Sequence, residues 1–194
     1  MCIDDRYPHG AFRLSTHRRG AATKLVMNAS SVLASLSMAR SQFEIALIPL
    51  KSDDPPPHGN EEIEFLISTD PGAPARALGK IASGGELSRI SLAIGVVTAN
   101  TATVASMVFD EVDVGIGGAV AEVVGKLLRT LSERTQVLCV THLAQVASQG
   151  THNLQVSKTS SDTLVEMSLK KQGNDDKVQA ICAFTGVSGL HRRR

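Results

Sequence analysis

With 194 residues, the chain is long enough for one domain with a real core. Apolar residues make up 42% and charged residues 20%, which excludes disorder as the default state. A net charge of +1 and an aromatic share of 3% give no global pull toward nucleic acid and no base-stacking platform.

The opening MCIDDRYPHG is acidic where a secretory leader would be basic and then apolar. Residues 1–17 show no clear period. Arg18 to Met38 carries Leu25, Val26, Leu33 and Leu36 among small residues and is predicted as a helix. Phe43–Ile48 and Glu62–Ile67 read as strands flanking the Pro55-Pro56-Pro57 loop, which suggests an antiparallel pair. Asp70-Pro71-Gly72 marks a second turn, followed by an unstructured approach to Ser83. Beyond it strands and helices alternate: a helix over Gly85–Thr98, a strand over Val104–Phe109, a helix over Ala119–Leu131, a strand over Gln136–Val140 and a short helix over His142–Ala147. Strand-like runs at Asn153–Ser157 and Thr163–Leu169 follow. Continuously apolar strands between amphipathic helices predict an α/β sheet covered on both faces. The longest apolar stretch, Ile90–Ala99, is too short and too broken to cross a bilayer, so the chain reads as cytoplasmic. Cys2, Cys139 and Cys182 have no metal-ligand spacing, and Cys139 in its apolar run reads as a buried inert thiol.

Three short segments carry chemistry. In Ser83-Gly84-Gly85-Glu86-Leu87-Ser88-Arg89, Ser83 and Glu86 form a capping box, and the glycines leave backbone amides open to an anion. In Val108-Phe109-Asp110-Glu111 an apolar strand ends in two carboxylates; one suits Mg²⁺ and the other can orient or deprotonate water. In Val140-Thr141-His142 a second strand delivers an imidazole that could donate to a phosphate oxygen. Taken singly, each has an ordinary explanation: a well-capped helix, an acidic surface turn and a strand-end histidine. Arg18-Arg19 and Arg192-Arg193-Arg194 read as solvated basic ends.

In this order and at this spacing the three segments resemble ATP-binding-cassette ATPases. Lys80–Ile90, Phe109-Asp110-Glu111-Val112-Asp113-Val114-Gly115-Ile116-Gly117-Gly118 and Val140-Thr141-His142-Leu143 resemble the C-terminal part of the RecN family, SMC-like proteins with a coiled-coil arm. The likeness runs from about Arg18 to Val178. It implies a partial P-loop NTPase head, the C-terminal lobe of an SMC-like cassette with a mixed sheet flanked by helices. It also implies ATP and Mg²⁺ as cofactors and a role in DNA repair and recombination at double-strand breaks. Ser83, Gly84, Gly85 and Glu86 would touch ATP held by an opposite head, a second copy or a full-length relative. Asp110 would support Mg²⁺, Glu111 would polarise water, and His142 would approach the γ-phosphate. DNA would be met through the complete protein, at the nucleoid and without a membrane.

The same likeness implies a division into residues 1–17 as an extension unlike the family, 18–40 as the end of a coiled-coil helix entering the head, 41–172 as the C-terminal lobe, and 173–194 as a divergent, flexible tail. Two departures stand out. Gly117 occupies the place where SMC-like heads often carry an aspartate, and no G-x-x-x-x-G-K-[ST] loop occurs anywhere in the chain. The expectation is a gene fragment that does not hydrolyse ATP appreciably by itself. Open alternatives are a different SMC-like or transporter-type cassette half, a non-enzymatic module that docks on an intact head, and a remnant without function.

Overall fold

The computed structural model describes residues 6–50, 56–81, 83–101, 104–160 and 165–173. The chain divides into two compact units, Met1–Thr103 and Val104–Arg194.

The first unit opens with helix α1, Arg6–Ser35. It begins a dozen residues before the predicted Arg18. Its first half escapes a periodicity reading because it buries only small residues, Ala11 and Ser15, and leaves Phe12 exposed. Pro8 is tolerated because it falls in the first turn, where amide hydrogens have no helical partner. Three points tie this half to the loop between the first two strands. The Tyr7 hydroxyl lies 2.9 Å from the Pro56 carbonyl oxygen and 2.7 Å from Asn60 Oδ1. Arg18 donates to the carbonyls of His58 at 2.7 Å and Glu61 at 3.4 Å, so it is a structural clamp and not a solvated basic end. Leu14 packs against Gly59, whose φ of +92° leaves no comfortable place for a side chain. The helix stops where Ser37 turns left-handed (φ 62°) and the Met38 amide bonds the Leu33 carbonyl at 3.0 Å.

Strands β1 (Gln42–Pro49) and β2 (Glu61–Ser68) pair antiparallel as predicted, with Phe43 opposite Ile67. The short β3 (Arg76–Ala77) adds to β2 and leads into a 3₁₀ turn at Leu78–Lys80, where the sequence suggested no structure. Helix α2 spans Gly84–Thr98 and packs on α1. Leu33, Leu36, Phe43, Ile67, Ile90 and Leu92 are buried in this unit.

In the second unit β4 (Ser106–Phe109) and β5 (Gln136–Cys139) form a parallel pair, with Phe109 in register with Cys139. Helix α3 (Gly118–Leu131) connects them, as a parallel pair requires. Helix α4 (Ala144–Gln149) packs on α3. Val112, Ala121, Val124, Leu128, Leu131 and Val146 are buried here. Strands β6 (Leu154–Ser160) and β7 (Val165–Lys171) close the described part as an antiparallel hairpin. Among the described residues strands of both senses are present, as expected of a mixed α/β fold, and they fall into three sheets. The parallel pair is not covered on both faces: Val108 is 70% and Val140 61% exposed. The predicted tail falls almost wholly outside the described residues. No helix among the described residues is long and apolar enough to cross a membrane.

Candidate functional site

The acid pair and the histidine follow neighbouring strands at the same end of the parallel pair. Phe109 and Cys139 are in register, and the Val140 amide continues the ladder by donating to the Phe109 carbonyl at 2.9 Å. Asp110-Glu111 and Thr141-His142 therefore leave neighbouring strands at their carboxyl ends, where open α/β sheets place their ligands.

After Phe109 the backbone bends sharply. Glu111 sits at φ 58°, a conformation that crowds its Cβ against the chain. Its amide donates to Asp110 Oδ1 at 2.9 Å, and the Val114 amide closes a turn onto the Glu111 carbonyl at 3.1 Å. Gly115, at φ 74°, completes the reversal into α3. Both carboxylates of the pair stay exposed. A strained non-glycine residue carrying an exposed acid at a strand end is a feature that functional sites tend to retain.

The second strand end is organised by a residue that motif reading passed over. Asp113 is buried, and its Oδ2 accepts hydrogen bonds from the Thr141 hydroxyl and, at 3.2 Å, from the His142 amide. Thr141 Oγ1 in turn accepts from the Leu143 amide at 3.0 Å, just ahead of α4. The Thr-His step that follows an apolar strand, and an acid three places after the first acid, were the available signals.

Cys139, just before this loop, is half-buried and not fully buried as predicted. Burial pushes its thiol up to about 12, and the charges of Asp113 and then Asp110 add to the effect. A thiol raised in this way holds little thiolate, the reactive form, near neutrality.

The glycine-serine corner lies in the other unit. Ser83 caps α2, and its Oγ accepts from the Glu86 amide at 3.4 Å, which is the first half of the predicted capping box. Ser83 and Gly84 are exposed, while Gly85 is buried. Burial lowers the pKa of Arg89, one turn further on, and Glu86 acts in the opposite direction.

The donor chemistry fits a hard divalent cation only in part. No group of three His, Cys, Asp or Glu residues among those described could hold a metal by itself. Exposed carboxylates at a strand end suit Mg²⁺, which is usually held by one or two of them together with water and phosphate oxygens.

No family model matches the chain. Curated sequences do. The DNA repair protein RecN of Xylella fastidiosa (strain 9a5c) is 45% identical over 186 residues, 96% of this chain and 33% of that protein. The chain is RecN-like along nearly its whole length. RecN of Vibrio cholerae is 44% identical over 180 residues, 93% of this chain and 32% of that protein. The likeness read from the motifs thus extends beyond the Arg18–Val178 stretch that carries them. The chain spans about a third of the length of the RecN relatives it matches. Among solved structures, an Smc head domain with a coiled coil and joint from Pyrococcus yayanosii matches with a TM-score of 0.57 at 17% identity. That match covers 87% of this chain and 30% of the other, and it establishes the SMC-head fold.

Proposed function

We propose that this RecN-like chain supplies part of a composite ATP-hydrolysing site that serves repair of DNA double-strand breaks and recombination. The observation that carries the reading is the parallel pair β4–β5, which delivers Asp110-Glu111 and Thr141-His142 to the same edge. Asp110 would hold Mg²⁺. Glu111 would orient the attacking water and draw off its proton. His142 would meet the terminal phosphate. Mg²⁺ bound there would neutralise charge on the phosphate oxygens as they part. Ser83, Gly84, Gly85 and Glu86 would meet the nucleotide of an opposing head at the N-terminal end of α2, where the helix dipole favours an anion. Such a site is complete only in a dimer, so nucleotide binding and head closure would be linked.

The phosphate cradle and its lysine would come from a segment carried elsewhere in RecN-type proteins. The exposed apolar side chains Val108, Leu138 and Val140 support this, because a layer packed on the face of a completed parallel sheet would cover them. They equally favour a second reading, a non-enzymatic module that docks on an intact head. An ATP turnover assay separates the two. The chain alone is expected to show no turnover, and addition of the phosphate-loop segment of a RecN relative to restore it. Glu111→Gln should then lower the restored rate on the order of 10²-fold. Association without turnover would favour the docking module. Robust turnover by the isolated chain, abolished by Glu111→Gln, would refute its dependence on a second segment.

A further inference from the structure

The loop after β4 holds a third acid whose surroundings differ from those of the exposed pair. The Asp113 side chain is 2% exposed, whereas the His142 ring beside it is 67% exposed. A carboxylate sunk to this depth requires donors around it. Those found at Asp113 Oδ2 belong to two consecutive residues, the Thr141 hydroxyl and the His142 amide. The same oxygen lies 3.5 Å from His142 Nδ1. One buried atom thus fixes the backbone that bears the histidine and also faces its ring.

We propose that Asp113 is a positioning residue for His142, holding the proton on Nδ1 so that Nε2, across the ring, is the nitrogen offered to a phosphate. The inference rests on the reading of His142 as a phosphate-facing group. An acceptor beside one ring nitrogen selects the tautomer that places the hydrogen there. The neutral ring then has a lone pair at Nε2 and no donor. A phosphate oxygen would meet a donor at Nε2 only on a doubly protonated ring, and Asp113 orients that ring as the buried aspartate orients the imidazole of a serine-protease triad. The 3.5 Å separation is long for a hydrogen bond, which is common in sites that tighten only when their ligand arrives.

The test reads the ring itself. The full chain is prepared with isotope-labelled histidine, and nuclear magnetic resonance correlates ring nitrogens with ring carbon-bound hydrogens at a pH where the ring is neutral. The His142 signals are those lost in His142→Gln. The expected result is a protonated-type Nδ1 and an unprotonated-type Nε2 in the unaltered chain, with loss of that preference in Asp113→Ala. A ring protonated chiefly at Nε2 in the unaltered chain overturns the proposal, whether or not Asp113→Ala folds. An Asp113→Ala ring that keeps its proton on Nδ1 overturns it as well. No nucleotide enters this measurement, so failure of the ATPase reading shows separately, in the turnover assay.

Discussion

A methyl group built on Gly125 of α3 would lie 3.2 Å from the carbonyl oxygen of Gln145 in α4, so the two helices meet there almost backbone to backbone. Val146 Cα would be 3.3 Å away and the Gln149 side chain closer still. Because α4 begins two residues after His142, this contact helps hold the strand-end loop in place. Gly125→Val should therefore destabilise the chain by about 1–3 kcal/mol through overpacking. Gly125→Ala should cost less, since its gain of up to about 1 kcal/mol in helix propensity offsets part of the clash. Urea unfolding with an unchanged m-value checks the order of the three proteins.

Glu111 should be a position where stability and activity part company. Its φ of 58° costs a non-glycine residue roughly 1–2 kcal/mol. Glu111→Gly relieves that strain and returns part of the gain as unfolded-state entropy. The variant is expected to melt at the parent temperature or above, with up to about 1 kcal/mol of added stability, while any complemented ATP turnover disappears. A clearly lower melting temperature would show that the carboxylate, and not the local backbone, determines the energetics of this loop.

Ser37 offers a matching test away from the site. It occupies the left-handed position that ends α1, at φ 62°, with the Met38 amide bonded back to Leu33. Ser37→Gly should raise stability by about 0.5–1 kcal/mol, because glycine meets no Cβ penalty in this conformation. Thermal unfolding reads the change directly.

Cys139 makes the chain sensitive to alkaline pH, and the sign follows from its environment. The folded thiol is raised to about 12 from an ordinary 9.0, so the unfolded chain ionises first as pH rises. The stabilising contribution is complete below about pH 9 and fades as pH climbs toward about 12. Cys139→Ser should flatten that part of the stability–pH curve. Peptide-level alkylation near neutrality should also be slower in the folded chain than in urea, on the order of 10-fold or more.

The elements that bear chemistry were legible because each pairs a strong local signal with a short range. An apolar strand that ends in Asp110-Glu111, or a serine cap followed by Glu86, needs only neighbouring residues to be recognised. Asp113 escaped because its meaning depends on Thr141, 28 residues away, and nothing adjacent distinguishes a buried acid from one in a surface turn. The early start of α1 escaped for a related reason. Its partners are backbone carbonyls at Pro56, His58 and Glu61, which have no side-chain signature, and Arg18 therefore read as a solvated charge. The exposed faces of Val108 and Val140 ran against the prediction of a sheet covered on both sides, since an apolar residue gives no sign of which molecule, or which part of one, will cover it.

The attachment of α1 has a mechanical consequence. A helix of 30 residues is a rod about 45 Å long. Tyr7, Leu14 and Arg18 bolt its leading half to the β1–β2 loop, and Leu33 anchors its far end in the hydrophobic interior. Load applied to the leading half would pass into β1 and β2 through these contacts, as a lever passes load to its fulcrum.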